Sequence, residues 1–206
     1  MRRMIWIFVM LLMTAAASYC GAGLRLNEIM ADPASDWNGD GVISYRDDEW
    51  IEVVNTGPGV EDLTGCRIAT ADTAWRYEFT GNLTPGARVL VTGRMAYDWE
   101  RATGEAAYGL RLGNEGDYVM LWRLGLADSL MLDSVRYRTE DAEDDRSMGR
   151  LPDGDGEWSL FDALLPVPPG GQIIGNGCAP TPAAVNWCET PVESETWGRI
   201  KRGYAE

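Results

Sequence analysis

Apolar and polar positions in this chain change over with the short period of strands. Leu24 and Leu26 alternate with Arg25 and Asn27, which predicts a first strand over residues 24–30. Residues 49–55 are rich in β-branched side chains and predict a second strand, with Ile51 and Val53 on one face and Trp50, Glu52 and Val54 on the other. Further strands are expected over 63–70, 75–79, 88–92, 117–123 and 132–138. In the last two, Tyr118, Met120 and Trp122 share one face, and Val135 and Tyr137 point inward. Turn signals at 56–59, 84–86 and 113–116 separate these runs. Only residues 96–103 carry good helix formers without a strand period, so one short helix ending near Gly104 is expected. Many short strands, turns about every eight to twelve residues and little helix predict an all-β, antiparallel β-sandwich.

One stretch breaks the alternation. Between the first two strands the chain reads Asp36, Trp37, Asn38, Gly39, Asp40, Gly41, Val42, Ile43, Ser44, Tyr45, Arg46, Asp47. Oxygen-bearing side chains fall at the first, third and fifth places of a calcium loop, glycine at the sixth, a backbone carbonyl at the seventh and a carboxylate at the twelfth. The expected ligands of a structural Ca2+ are therefore Asp36, Asn38, Asp40, Val42, Ser44 and Asp47. Gly41 supplies the freedom for the sharp turn, and Ile43 is expected to anchor the loop to a core. Asp47 is shorter than the usual closing glutamate, and Asp48 and Glu49 stand ready to substitute. The flanks are strands, so a helical calcium sensor is not expected. A plain acidic, glycine-rich solvated turn is the alternative reading.

Composition narrows the setting. The chain has 206 residues and begins with Arg2 and Arg3, an apolar run over 4–13 and small residues over 15–18, the build of a secretory leader over residues 1–20. Cys20 follows in a loosely lipoprotein-like context in which Tyr19 fits poorly, and membrane attachment is expected only if Cys20 is lipidated or the leader is retained. The formal charge is −14, or −16 without Arg2 and Arg3. Lys201 is the single lysine, and no strongly basic patch offsets this balance, which argues against binding nucleic acid. Four cysteines lack the spacing of a zinc site. Cys178 and Cys188 are expected to form a local disulfide in an oxidising compartment, and Cys66 either pairs with Cys20 or stays a buried thiol.

Several stretches taken together resemble bacterial lamin-tail domains. They are residues 26–33 (Leu-Asn-Glu-Ile-Met-Ala-Asp-Pro), 49–55 (Glu-Trp-Ile-Glu-Val-Val-Asn), 62–65 (Asp-Leu-Thr-Gly), Pro85 with Gly86, 112–117, 133–137 and 150–154. The resemblance covers residues 24–171 and implies an immunoglobulin-like sandwich, with residues 172–206 left as a Pro/Gly/Cys-containing tail. The ending departs from the family pattern: Pro169, Gly170 and Gly171 lead into that tail. The resemblance supplies no catalytic residues. It implies an interaction and structural module, found alone or attached to secreted enzymes and surface proteins.

The function expected is accordingly a non-catalytic, calcium-stabilised module of the extracytoplasmic space with a protein partner at the cell surface. The absence of histidine removes Ser-His-Asp and Cys-His chemistry. The alternative is a carbohydrate-binding module, because nine Trp and eight Tyr are many. Trp50, Trp75 and Trp122 fall in strands, where packing is the commoner use. Trp37 and Trp99 are the candidates for exposed rings.

Overall fold

The computed structural model describes residues 23–126, 128–163 and 175–188. The expected leader, Cys20 and the tail from residue 189 onward lie outside the described residues, as does the departure at Pro169 to Gly171. The elements run β1 (Leu24–Met30), β2 (Trp50–Asn55), β3 (Glu61–Asp62), β4 (Cys66–Ala69), β5 (Trp75–Glu78), β6 (Asn82–Leu83), β7 (Arg88–Thr92), α1 (Gly93–Thr103), β8 (Gly116–Leu124), β9 (Ser129–Arg138), β10 (Ser147–Leu151) and β11 (Glu157–Phe161).

Two sheets carry the fold, one in the order β11-β10-β1-β2-β7 and one in the order β5-β4-β8-β9, with β3 and β6 forming a small separate pair. All the pairings are antiparallel. The core lies between the sheets: Leu24, Leu26, Ile29, Ile51, Val53 and Val91 from one side meet Ile68, Val119, Leu121, Val135 and Tyr137 from the other. The expected all-β, two-layered antiparallel sandwich with one short helix is thus the observed fold. Cys66 is a buried free thiol within this core. Among the described residues no helix is long and apolar enough to cross a membrane.

The helix begins earlier than expected, at Gly93. Thr92 caps it by accepting a hydrogen bond from Met95 N, and Gly104 closes it in the left-handed region at φ 82°. β10 and β11 are not among the strands expected from the sequence; β10 is largely buried and β11 largely half-buried.

The tail covers part of the outer face of the five-stranded sheet. In β1 a bulge between Leu26 and Glu28 interrupts the register. Leu26 pairs with Val53 and Ile29 with Ile51, all facing the core, so the extra residue leaves both Asn27 and Glu28 on the outer face. Glu28 and Glu52 sit opposite each other there and are fully buried. Residues 175–188 lie over them as a strap closed by the Cys178–Cys188 disulfide. Thr181 donates its N–H (3.0 Å) and its hydroxyl (2.7 Å) to Glu28, and Ala183 N–H donates to Glu52 at 2.6 Å. Asn186 N–H reaches Asp153 at 2.9 Å, while its amide bonds the carbonyls of Asn27 and Arg150. Asp162 pins the start of the strap through Gly175 N–H and Gly177 N–H.

Burial pushes Glu52 up to about 7 from its ordinary 4.5, against the opposing hydrogen bond from Asn27, and burial also raises Glu28. Between about pH 4.5 and 7 the folded chain therefore holds a proton on Glu52 that the unfolded chain has released. Stability falls as pH rises through this window, by on the order of 3 kcal/mol. Glu52→Gln is expected to flatten, though not abolish, that slope in urea unfolding measured across the window, because Glu28 titrates in the same sense. An unchanged slope would show that Glu52 does not carry it.

Candidate metal loop and adjoining cleft

Residues 36–48 fold as a chain of turns in which side-chain oxygens cap backbone N–H groups. Asp36 Oδ1 accepts from Gly39 and Asp40, and its Oδ2 accepts from Gly41 at 2.8 Å. Asn38 Oδ1 accepts from Asp40 N–H and Asp40 Oδ1 from Val42 N–H, both at 2.8 Å. Gly41 takes φ 86°, which the turn requires. Asp36, Asp40 and Val42 are exposed, while Asn38 and Ser44 are half-buried. The loop thus brings Asp36, Asn38 and Asp40 together.

It does not bring Asp47 to them. Arg46 holds that carboxylate at both oxygens, at 2.6 and 3.0 Å. The carboxylate that closes the loop is the next one: buried Asp48 accepts from Asn38 N–H at 2.9 Å and from Ser44 N–H at 2.7 Å. Among the described residues, no three carboxylate or thiol side chains converge closely enough to hold a metal ion. The donors that do gather are all oxygens, the kind a hard cation takes, so the loop fits calcium in donor type and spacing.

Ile43 is 63 % exposed and anchors nothing, contrary to the expectation for it. The anchors are polar and aromatic instead. Asp145, from the acidic segment after β9, accepts from Ala34 N–H, Ser35 N–H and Trp37 Nε1, the last at 2.7 Å. The Trp37 ring lies 6.0 Å from that of buried Trp50 in β2. That acidic segment therefore braces the loop through Asp145.

The far end of the loop opens on a cleft of about 430 Å³, lined by Tyr45, Arg46, Glu49, Tyr108, Arg111 and Asn114. Its opposite wall, residues 105–112, is held by buried Glu100 of α1, which accepts from Tyr108 N–H and Gly109 N–H and pairs with buried Arg76 at 3.1 Å. Glu49 is only 4 % exposed. Its Oε1 accepts from Leu112 N–H at 3.1 Å, and its Oε2 has no hydrogen-bond partner among the described residues. Burial raises the Glu49 carboxyl well above the ordinary carboxylate range, against the N–H groups of Leu112 and Arg111. Arg111 sits in the left-handed region at φ 53°, which is uncommon for a side chain of this size. None of the cleft's chemistry carries a spacing motif, so only the burial of Glu49 reveals it.

Trp75 and Trp122 occupy strands, as the sequence implies, but their rings do not enter the core. With Ala69, Thr73, Met120 and Ser129 they border an apolar trough of about 260 Å³ on the outer face of the four-stranded sheet. Arg67 lies 5.5 Å above the Trp75 ring and pairs with Glu78 beside it. Trp37 and Trp99 are each half-buried. Comparison with protein-family models, with curated proteins and with solved structures finds no match for this chain.

Asp48→Ala is expected to cost about 2–4 kcal/mol in urea unfolding, since it strands two part-buried N–H groups and empties a buried position. Asp47→Ala, which removes only a pair with half-exposed Arg46, is expected to cost less than about 1 kcal/mol. The reverse order would show that Asp47 is the closing residue of the loop.

Proposed function

We propose that this chain is a non-catalytic interaction module of the extracytoplasmic space, built like a lamin-tail domain and stabilised by calcium in the loop after β1. The observation that carries the calcium reading is the turn in which Asp36, Asn38 and Asp40 gather at the spacing of a calcium loop. Those side chains, the Val42 carbonyl and Ser44 would hold the ion, with Asp47 or its neighbour Asp48 closing the set. Calcium would supply charge neutralisation for carboxylates that otherwise repel one another. The disulfide and the leader-like start support an oxidising setting outside the cytoplasm. A protein partner at the cell surface is the reading for the binding role.

Extracellular modules bind calcium at about 0.1–1 mM, and an ion held only by the folded state adds about 2.7 kcal/mol at a hundredfold excess over Kd. Calcium is therefore expected to raise the melting temperature by about 5–10 °C. Asp40→Asn is expected to lose most of that rise. Asp36 already caps three N–H groups, so Asp36→Ala lowers stability in chelator as well, and only the calcium-dependent difference reports the ion. Equal melting of the unaltered chain in calcium and in chelator would remove the calcium reading.

Carbohydrate binding is the second reading, and the trough between Trp75 and Trp122 favours it, since indole faces pack against sugar rings and the Arg67–Glu78 pair lies alongside. On a glycan array, Trp75→Ala and Trp122→Ala are each expected to abolish any neutral-glycan signal with unchanged melting. A signal that survives both would place sugar binding elsewhere.

A further inference from the structure

We propose that the cleft beside Glu49 is a binding site for an acidic sugar, a uronate residue whose carboxylate meets the guanidinium groups of Arg46 and Arg111 and whose ring lies against Tyr108. It goes beyond the calcium reading and stands on the cleft whether or not the loop holds an ion.

Glu49 is the first reason. A carboxyl oxygen that is buried and unpartnered destabilises the fold, and such a group is rare without a role. Leu112 satisfies only Oε1, so Oε2 is left for a hydrogen bond that the described residues do not make. A sugar hydroxyl can donate to this oxygen, which a simple carboxylate ligand cannot do.

The remaining groups are mostly donors. Asp47 engages Nε and Nη2 of Arg46, and Asp72 engages only Nη1 of Arg111 at 2.8 Å, so each guanidinium keeps further N–H groups. Asn114 adds an amide. A donor-rich cleft takes an acceptor-rich ligand, and the guanidinium N–H groups that Asp47 and Asp72 leave over suit a carboxylate.

Two features select a sugar over a simple carboxylate. The cleft, at about 430 Å³, is within the range of small-ligand sites and far larger than a carboxylate alone fills. Its rim carries two exposed rings, Tyr45 and Tyr108, and the Arg111 guanidinium lies 5.1 Å from the Tyr108 centroid. Aromatic faces give a sugar ring an apolar surface while its hydroxyls reach polar neighbours. The wall itself is fixed: Gly109 approaches so closely that a Cβ there would lie 3.0 Å from the Gly93 carbonyl, and Glu100 ties residues 108 and 109 to the helix.

The test is a chemical-shift titration of the full chain with D-glucuronate, D-glucose and acetate. Glucuronate is expected to bind at least about tenfold more tightly than glucose or acetate. Arg111→Gln and Tyr108→Ala, both at the rim, are expected to weaken glucuronate by at least about tenfold with unchanged melting. Trp122→Ala, in the trough on the other sheet, is expected to leave it unaltered. No binding of glucuronate, equal binding by acetate, or full binding by both rim variants would overturn the assignment. Loss of binding in Trp122→Ala would move the site to the outer-sheet trough.

Discussion

The backbone of Arg46, Asp47 and Glu49 and the first turn of α1 touch directly, and much of the molecule is arranged around that contact. Gly93 N–H donates to the Glu49 carbonyl at 2.7 Å, and Arg94 N–H to the Asp47 carbonyl at 3.1 Å. A Cβ at position 93 would lie 1.7 Å from the Arg46 carbonyl oxygen, so a side chain there is sterically impossible without moving one of the two segments. The contact satisfies N–H groups at the helix start that have no partner within the helix. It also sets the end of the loop, the start of β2 and one wall of the cleft in a single stroke. Glu49, which immediately precedes β2, is buried beside this contact.

A second constraint acts on the opposite side. The bulge at Asn27 turns polar side chains onto an outer sheet face, where two carboxylates lie across from each other. Left bare they would simply be solvated. The strap buries them, and it must then satisfy them, which Thr181 does for Glu28 and Ala183 for Glu52, while Asn186 bonds the Asn27 and Arg150 carbonyls beside them. The disulfide holds these donors in place at limited entropic cost, since a short closed segment has little freedom left to lose. The two broad faces of the sandwich therefore differ: one is sealed by polar contacts, and the other presents aromatic rings.

Most of the strand pattern was legible from alternation alone. Residues 24–30 form β1 with the expected limits, and Val135 and Tyr137 point inward as their period implies. The limits of legibility are physical. The bulge in β1 is invisible because Leu26, Asn27, Glu28 and Ile29 look like any apolar-polar mixture until the register is known. β10 and β11 escape because each is only five residues long and the Pro-Asp-Gly-Asp-Gly turn between them dominates the local pattern. The loop was legible in its first half, where spacing dictates which oxygen caps which N–H. Its closure was not, since the choice between Asp47 and Asp48 depends on Arg46 drawing one of them aside. Trp122 shows the same limit: its strand was evident, but which face of that strand meets the core is decided by the partner sheet.

The strap has a mechanical meaning as well. Tension drawn through the chain would enter at Gly23, at the head of the central strand β1, and leave at Cys188. The ten-residue separation between Cys178 and Cys188 is closed by a covalent bond, so that segment cannot pay out under load. Force would pass instead through Ala163 and Asp162 into β11 and on through β10 to β1. Adjacent strands pulled along their length resist by many hydrogen bonds at once, whereas a frayed edge unzips one bond at a time. A surface module tethered at one end and gripped at the other would in this way be locked against stretching by the piece of chain that sequence pattern describes least.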